Sequence, residues 1–220
     1  IIFLFLLTSK TKVLAGYSVW EAMMFFLTFN LVDIIAQFLW REVYRFRSYI
    51  VSGSFDIVLT KPISPLFRIL FGGSDILDLI TLFPLIAFMG YVAIQIGHVS
   101  VGSIVLYILL VSNGLLIALS FHIFVLALGV LTTEVDNAIW MFREITQLGR
   151  FPLQIYPRPV AILFTFVLPV AAMITIPTQA LFGIVSLEGV IVCMCLSILL
   201  LTLSLVSWRA ALKRYASASS

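Results

Sequence analysis

The chain has 220 residues, of which 62% are hydrophobic and 10% charged, with a formal net charge of +3. Soluble domains average about 45–50% apolar and about 25% charged residues, so one water-soluble core is excluded and a polytopic membrane protein is implied. The small positive excess is loop bias that sets orientation, and it is no footprint of nucleic-acid binding.

Ile1 to Leu7 is wholly apolar but far short of the ~20 residues a crossing takes. Because the first methionine is Met23, the chain is expected to begin inside a first, partial span (1–7). A signal peptide would show a basic start and a cleavage site, and neither is present. Thr8 to Ser18 reads as a short outer loop.

Val19 to Trp40 is the first complete span, bracketed by Trp20 and Trp40 as interfacial anchors. Asn30, Asp33 and Gln37 recur at i, i+3 and i+7 and share one helix face. Polar groups at that depth face protein or water. They either line a substrate path or partner contact, or hydrogen-bond neighbouring helices.

Residues 41–73 form the one long polar interval. Five of the thirteen basic residues, Arg41, Arg45, Arg47, Lys61 and Arg68, lie here against Glu42 and Asp56. A Lys/Arg excess between two apolar runs marks a cytoplasmic loop. Val43, Phe46 and Ile50 fall on one helical stripe with Arg45 near the other side, as in an amphipathic surface helix. Gly53 breaks that helix, and Lys61-Pro62-Ile63-Ser64-Pro65 stops the next. The product is a bent basic elbow that either grips a soluble partner or lies on anionic headgroups.

Ser74 to Ile96 is the next span; Ser74 is a candidate cap, and Asp75 and Asp78 suit the helix N-terminus or a cation. Pro84 is expected to kink this span, and Gly97 to Ser100 reads as a tight outer turn carrying His98. Val101 to Thr132 is longer than one crossing needs and is interrupted by Asn113 and His122, the latter without ligand-spaced companions for a metal.

Thr133 to Arg150 mixes Glu134, Asp136, Arg143, Glu144 and Arg150 with apolar residues. Either it is cytoplasmic and 160–182 crosses, or 134–150 crosses and the proline-rich stretch after it dips in from outside. Pro169 and Pro177 cut that stretch into pieces too short to span, and a re-entrant pair of half-helices needs protein or water to satisfy its broken backbone bonds. Leu187 to Trp208 is the last span, held by Arg209, Lys213 and Arg214, and Ala216 to Ser220 reads as a frayed tail. Cys193 and Cys195 point to different helix faces and read as small apolar side chains.

Two blocks carry a family resemblance. The first is Gly53-Ser54-Phe55-Asp56-Ile57-Val58-Leu59-Thr60-Lys61-Pro62-Ile63-Ser64-Pro65-Leu66. The second runs from Leu148-Gly149-Arg150-Phe151-Pro152-Leu153-Gln154-Ile155-Tyr156-Pro157 through Leu163 to Pro169 and on to Ile176-Pro177. In this order, with spans between them, they resemble ABC-2 type transporter permeases, particularly the drug or viologen exporter branch. The resemblance implies an all-α polytopic bundle of six transmembrane helices (1–7 partial, 19–40, 74–96, 101–132, 134–150 and 187–208) with an amphipathic cytoplasmic coupling elbow. It also implies an external re-entrant hairpin over 151–184, with Phe151, Pro152, Tyr156, Pro157, Pro169 and Pro177 as the gate.

The chain has no G-x-x-x-x-G-K-[ST], no Ser/His/Asp set and no zinc spacing, so no catalytic, cofactor or metal residue is nominated. The resemblance implies that ATP and Mg belong to two separate ABC ATPase subunits, coupled through Tyr44, Arg45, Phe46, Arg47, Tyr49 and Ile50, with Gly53 and Asp56 shaping the turn. A second permease chain, identical or a sister, completes a path lined by Asn30, Asp33, Gln37 and Asn113 in a bilayer of the bacterial inner-membrane type. Cargo would be amphiphilic: a drug-like cation, a lipid or a glycoconjugate. A self-contained channel or secondary transporter using the Asn30/Asp33/Gln37 face is the alternative, and a lipid-acting enzyme is disfavoured for want of an acid/base pair.

Overall fold

The computed structural model describes residues 14–132, 135–166 and 169–215. The partial span at 1–7, most of the outer loop before Ser18, Glu134 and the tail 216–220 lie outside them. Four described helices are long and apolar enough to cross a membrane.

α1 (Val19–Trp40) opens on a capping box: the Ser18 hydroxyl accepts from the Glu21 amide and the Glu21 carboxylate from the Ser18 amide. It ends where Trp40 leaves helical geometry (φ −124°, ψ 24°) and the chain tightens into a 3₁₀ turn, Arg41–Arg45. Trp40 does not anchor an interface. Its side chain is buried with its ring centroid 5.2 Å from that of His122, because the chain continues past it as the elbow instead of emerging there.

The elbow is built from that turn and three short helices, α2 (Phe46–Val51), α3 (Ser54–Leu59) and α4 (Pro65–Phe71). Gly53 joins α2 to α3 at φ 70°, a left-handed conformation that costs glycine little. Ser64 caps α4 with Pro65 at its first position, where no amide donor is missed. α5 (Ile76–Ile96) starts on Asp75, whose side chain accepts from the Leu77 amide; Asp75 and not Ser74 is therefore the cap. α5 returns antiparallel to α1, and the Trp20 and Tyr91 rings meet edge-on at the far end. The turn Gly97 to Ser100 leads into α6 (Val101–Thr132), which is the central helix.

α6 is parallel to α1: the Thr28 and Tyr107 hydroxyls lie 3.0 Å apart, and Trp40 meets His122 further along both helices. α10 (Leu187–Arg214) packs parallel on α6, since Cys193 and Ser197 lie by Asn113 while Trp208 lies by Phe46 at the elbow end, and it runs six residues beyond the predicted end at Trp208. Asn113 staples the two, donating to the Cys193 carbonyl and accepting from the Ser197 hydroxyl. One face each of α5 and α10 stays uncovered, with Phe83, Ile94, Ile198 and Val206 all more than half exposed, as lipid-facing positions are.

α7 (Val135–Gln147) continues through 3₁₀ turns Leu148–Arg150 and Leu153–Ile155. Asp136 lies by Arg47 in the elbow, the Arg150 guanidinium over the Phe29 ring, and Gln154 by Tyr17 just before α1. Residues 135–154 thus run the length of α1 in the opposite direction. α8 (Arg158–Phe166) follows, then a π turn Ala171–Thr175 and α9 (Ile176–Leu181). Pro177 has no amide to give the Met173 carbonyl, and the helix widens to π there. Met173 reaches Gly114 in the middle of α6, where an added Cβ would stand 3.0 Å from the Met173 Cα. The chain then returns, bringing Gln179 and Phe182 back to Tyr17.

Candidate functional site

The elbow is fastened to three helices. At its start Arg41 forks onto α5, with Nη2 2.9 Å from Asp78 Oδ1 and Nη1 against Asp75 Oδ2. The ends of α1 and α5 are thereby tied across the whole 41–73 loop. Planar guanidinium geometry suits such a two-carboxylate grip. Asp75 and Asp78 are thus partners of Arg41, and a cation site at that point is not needed to account for them.

Beside this clamp, the buried Glu42 carboxylate accepts from the Tyr49 hydroxyl at 2.6 Å and stands 3.5 Å from Arg45 Nη1. Its Oε2 also lies against Gly73, where an added Cβ would have to displace the carboxylate. The elbow's apolar stripe is fully used: Val43, Phe46 and Ile50 are all buried. Phe46 meets Phe55 at 88° and 5.2 Å, Phe55 meets Tyr215 at 86° and 5.2 Å, and Trp208 closes the cluster. The Tyr215 hydroxyl donates to Asp56 at 3.0 Å, and its pKa is pushed up by burial first and by that carboxylate second, so it stays a donor at neutral pH. The end of α10 is therefore part of the elbow, and no local sequence signal announced it.

Arg47 reaches Asp136 of α7 at 3.7 Å, and the Arg143 guanidinium sits 5.8 Å from the centre of the Tyr44 ring. Of the eight residues nominated for coupling, Phe46 and Ile50 point into the bundle and offer no surface to a partner. Tyr49 is committed to Glu42, Gly53 makes the turn, and Asp56 binds Tyr215. Arg45, Arg47 and half-buried Tyr44 remain on the face, joined by Ser48 and Val51 around an open groove of about 340 Å³. Val51, Ile57 and Ile63 are exposed beside it, and sequence reasoning missed them because a water-exposed apolar residue looks like a core residue in one dimension.

Asn30, Asp33 and Gln37 share a half-buried face of α1. Gln37 donates to Asp33 at 2.7 Å, while Asn30 turns back to the Phe26 carbonyl of its own helix. Asp33 borders a cavity of about 20 Å³, walled by Phe29, Val32, Phe142, Thr146 and Met173, which has room for about one water. Asn113 is not among them; its amide is spent on α10. The floor of the 158–182 excursion thus meets the polar face of α1.

The nominated gate residues split. Pro169 and Pro177 are buried at the base of the excursion, and the Pro169 carbonyl accepts from Met173. Phe151 and Pro152 are extended and make the turn out of α7. The Tyr156 hydroxyl donates to the Leu148 carbonyl and its ring meets Phe164 edge-on, while Pro157 precedes α8. What joins this assembly to α1 is Tyr17, whose hydroxyl accepts from both Gln154 (3.2 Å) and Gln179 (3.0 Å). Gln154 lies in the second resemblance block, while Tyr17 and Gln179 carried no recognisable pattern in the sequence.

No curated protein and no solved structure matches the chain. The family described as ABC-2 family transporter protein matches residues 1–219. The chain therefore belongs to the ABC-2 transporter family, whose members are membrane components of transport systems.

Proposed function

We propose that this ABC-2 family chain is the permease subunit of an ATP-driven exporter, within the drug or viologen branch, in a membrane of the bacterial inner-membrane type. Two ABC ATPase subunits push on the elbow, a second permease chain completes the path, and an amphiphilic cargo crosses by alternating access. α7 with its following turns serves as the fifth span, the partial one at 1–7 being the first. Residues 151–184 form the external re-entrant hairpin that closes the path above Asp33.

The observation that carries this reading is the fastening of the elbow. A surface helix that merely rested on headgroups would need no ties beneath it. This one is bolted to α5 by Arg41, to α7 by Arg47 and to α10 by the Phe46/Phe55/Trp208/Tyr215 cluster. A push at the Arg45/Arg47/Val51 face reaches those helices as a rigid displacement, since packed aromatic contacts deform little.

The purified complex tests it. A soluble ATPase is expected to co-purify, and Arg45→Glu with Arg47→Glu is expected to bring cargo-stimulated ATP hydrolysis down to its basal rate while the permease elutes and melts as the parent does. Unchanged stimulation removes the elbow from the mechanism. Transport by the purified chain alone, without nucleotide, replaces this reading with a secondary transporter.

A further inference from the structure

We infer that the half-exposed seam between α1 and α7 is a binding site for the anionic headgroup of an amphiphile, a phosphate or similar oxyanion, and not for a cation; this rests on the permease reading, narrows its cargo and sets a viologen-like dication aside. The argument begins with two facing stripes. On α1 stand Asn30, Asp33 and Gln37. On α7 and its 3₁₀ continuation stand Arg143, Gln147 and Arg150, spaced i, i+4, i+7 and so on one face. All six are half-buried.

Charge decides what such a seam holds. Two arginines face one aspartate across apolar surroundings, and among the described residues neither arginine makes an ion pair. Arg41, the other arginine on this side of α1, is already neutralised by Asp75 and Asp78. Arg143 rests over the rings of Tyr44 and Trp140, at 5.8 and 5.4 Å, and Arg150 over Phe29 at 4.8 Å. An aromatic face under a guanidinium holds its plane and leaves its N–H edges for an oxyanion. Arg150 Nε is buried with no hydrogen-bond acceptor. A buried donor without an acceptor is a cost that a bound oxygen removes.

The two guanidiniums lie on one face about 10 Å apart along the axis, from a 1.5 Å rise per residue. They form successive stations and not one pincer. Arg143 is near the elbow end and Arg150 near the Met173 floor of the excursion, so an anion handed from one to the other moves along the bundle. Exposed apolar flanks on Trp140, Met141 and Leu148 of the same segment give the tail of an amphiphile a surface to follow. Asp33 disfavours an anion at its own depth and fits a site that must release what it binds.

The test is equilibrium binding to the purified permease in nanodiscs of phosphatidylcholine, with dodecyl phosphate, dodecyltrimethylammonium and inorganic phosphate as probes. Dodecyl phosphate is expected to bind about tenfold or more tightly than the ammonium amphiphile, and tighter than inorganic phosphate. Arg143→Gln with Arg150→Gln is expected to remove that preference, Arg143→Lys with Arg150→Lys to keep most of it, and Asp33→Asn to strengthen it. The lysine pair and the Asp33 variant keep the outcome readable if the glutamine pair fails to fold.

Preference for the ammonium probe, or its loss in Asp33→Asn, overturns the inference. So does equal affinity for inorganic phosphate, which would mean a small-anion site. Anion binding indifferent to the glutamine pair overturns it too, and points to acids of a second permease chain as the arginines' partners. These results concern the isolated permease, so they leave capture of the ATPase to decide the permease reading by itself.

Discussion

The two ends of the bundle are held by different physics. At the elbow end the ties are charged or aromatic: Arg41 on Asp75 and Asp78, Arg47 on Asp136, and three rings around Phe55. At the far end they are rings and neutral hydrogen bonds: the Tyr17/Phe25/Phe182 cluster, the Trp20–Tyr91 pair, and one phenol oxygen shared by two glutamine amides. Rings pack at both ends, and what sets the elbow end apart is its guanidinium–carboxylate ties. Each neutral hydrogen bond at the far end contributes about 1 kcal/mol net and is indifferent to salt.

Three measurements break or sharpen this contrast. The largest effect is expected at the elbow, where Phe55→Ala empties the centre of the ring cluster. About 3–5 kcal/mol of stability should be lost, read as a fall in the thermal midpoint in detergent, with ATPase coupling lost even below that midpoint. If melting is unchanged, the cluster is not what holds the elbow.

Next comes the seat of the excursion. Gly114→Val drives a branched side chain into the backbone at Met173, which cannot step aside as a side-chain tip would. Overpacking of this kind costs about 1–3 kcal/mol. Crosslinking between cysteines placed at Gln154 and Tyr17 should drop as the excursion lifts. Undiminished crosslinking would show that the close approach does not seat it.

The smallest effects are the most diagnostic. Arg41→Gln and Tyr17→Phe should each cost about 1 kcal/mol, but only the first should shrink as salt is raised from low to high, since partly exposed ion pairs are screened and neutral bonds are not. Matching salt dependence in a denaturation series would erase the distinction between the two ends.

Much of this was legible in one dimension. Apolar runs gave α1, α5, α6 and α10 within a few residues, because burial in lipid writes itself as unbroken hydropathy. The Val43/Phe46/Ile50 stripe was visible from spacing, and all three side chains are buried. Its meaning was not visible: spacing says which face is apolar and not what covers it, so Phe46 and Ile50 were assigned to a partner when Trp208 and α6 lie beneath them. Trp40 misled for a related reason, since tryptophan at the end of an apolar run suits a headgroup belt and a buried corner alike.

The Arg41 clamp had a usable clue. Its members end one span and start the next, and the two ends of a single loop return to the same depth. The pairing of Tyr17 with Gln154 and Gln179 had none, because uncharged side chains far apart in sequence leave no periodicity behind.

That shared phenol has a mechanical corollary. One oxygen serves both the outgoing and the returning leg of the 151–184 segment, so freeing one leg leaves the other amide still bound and the pair half-undone. The legs are therefore released one at a time: the outgoing leg loses a single amide, while the returning leg keeps its own amide and the Phe182 ring against Tyr17 and Phe25.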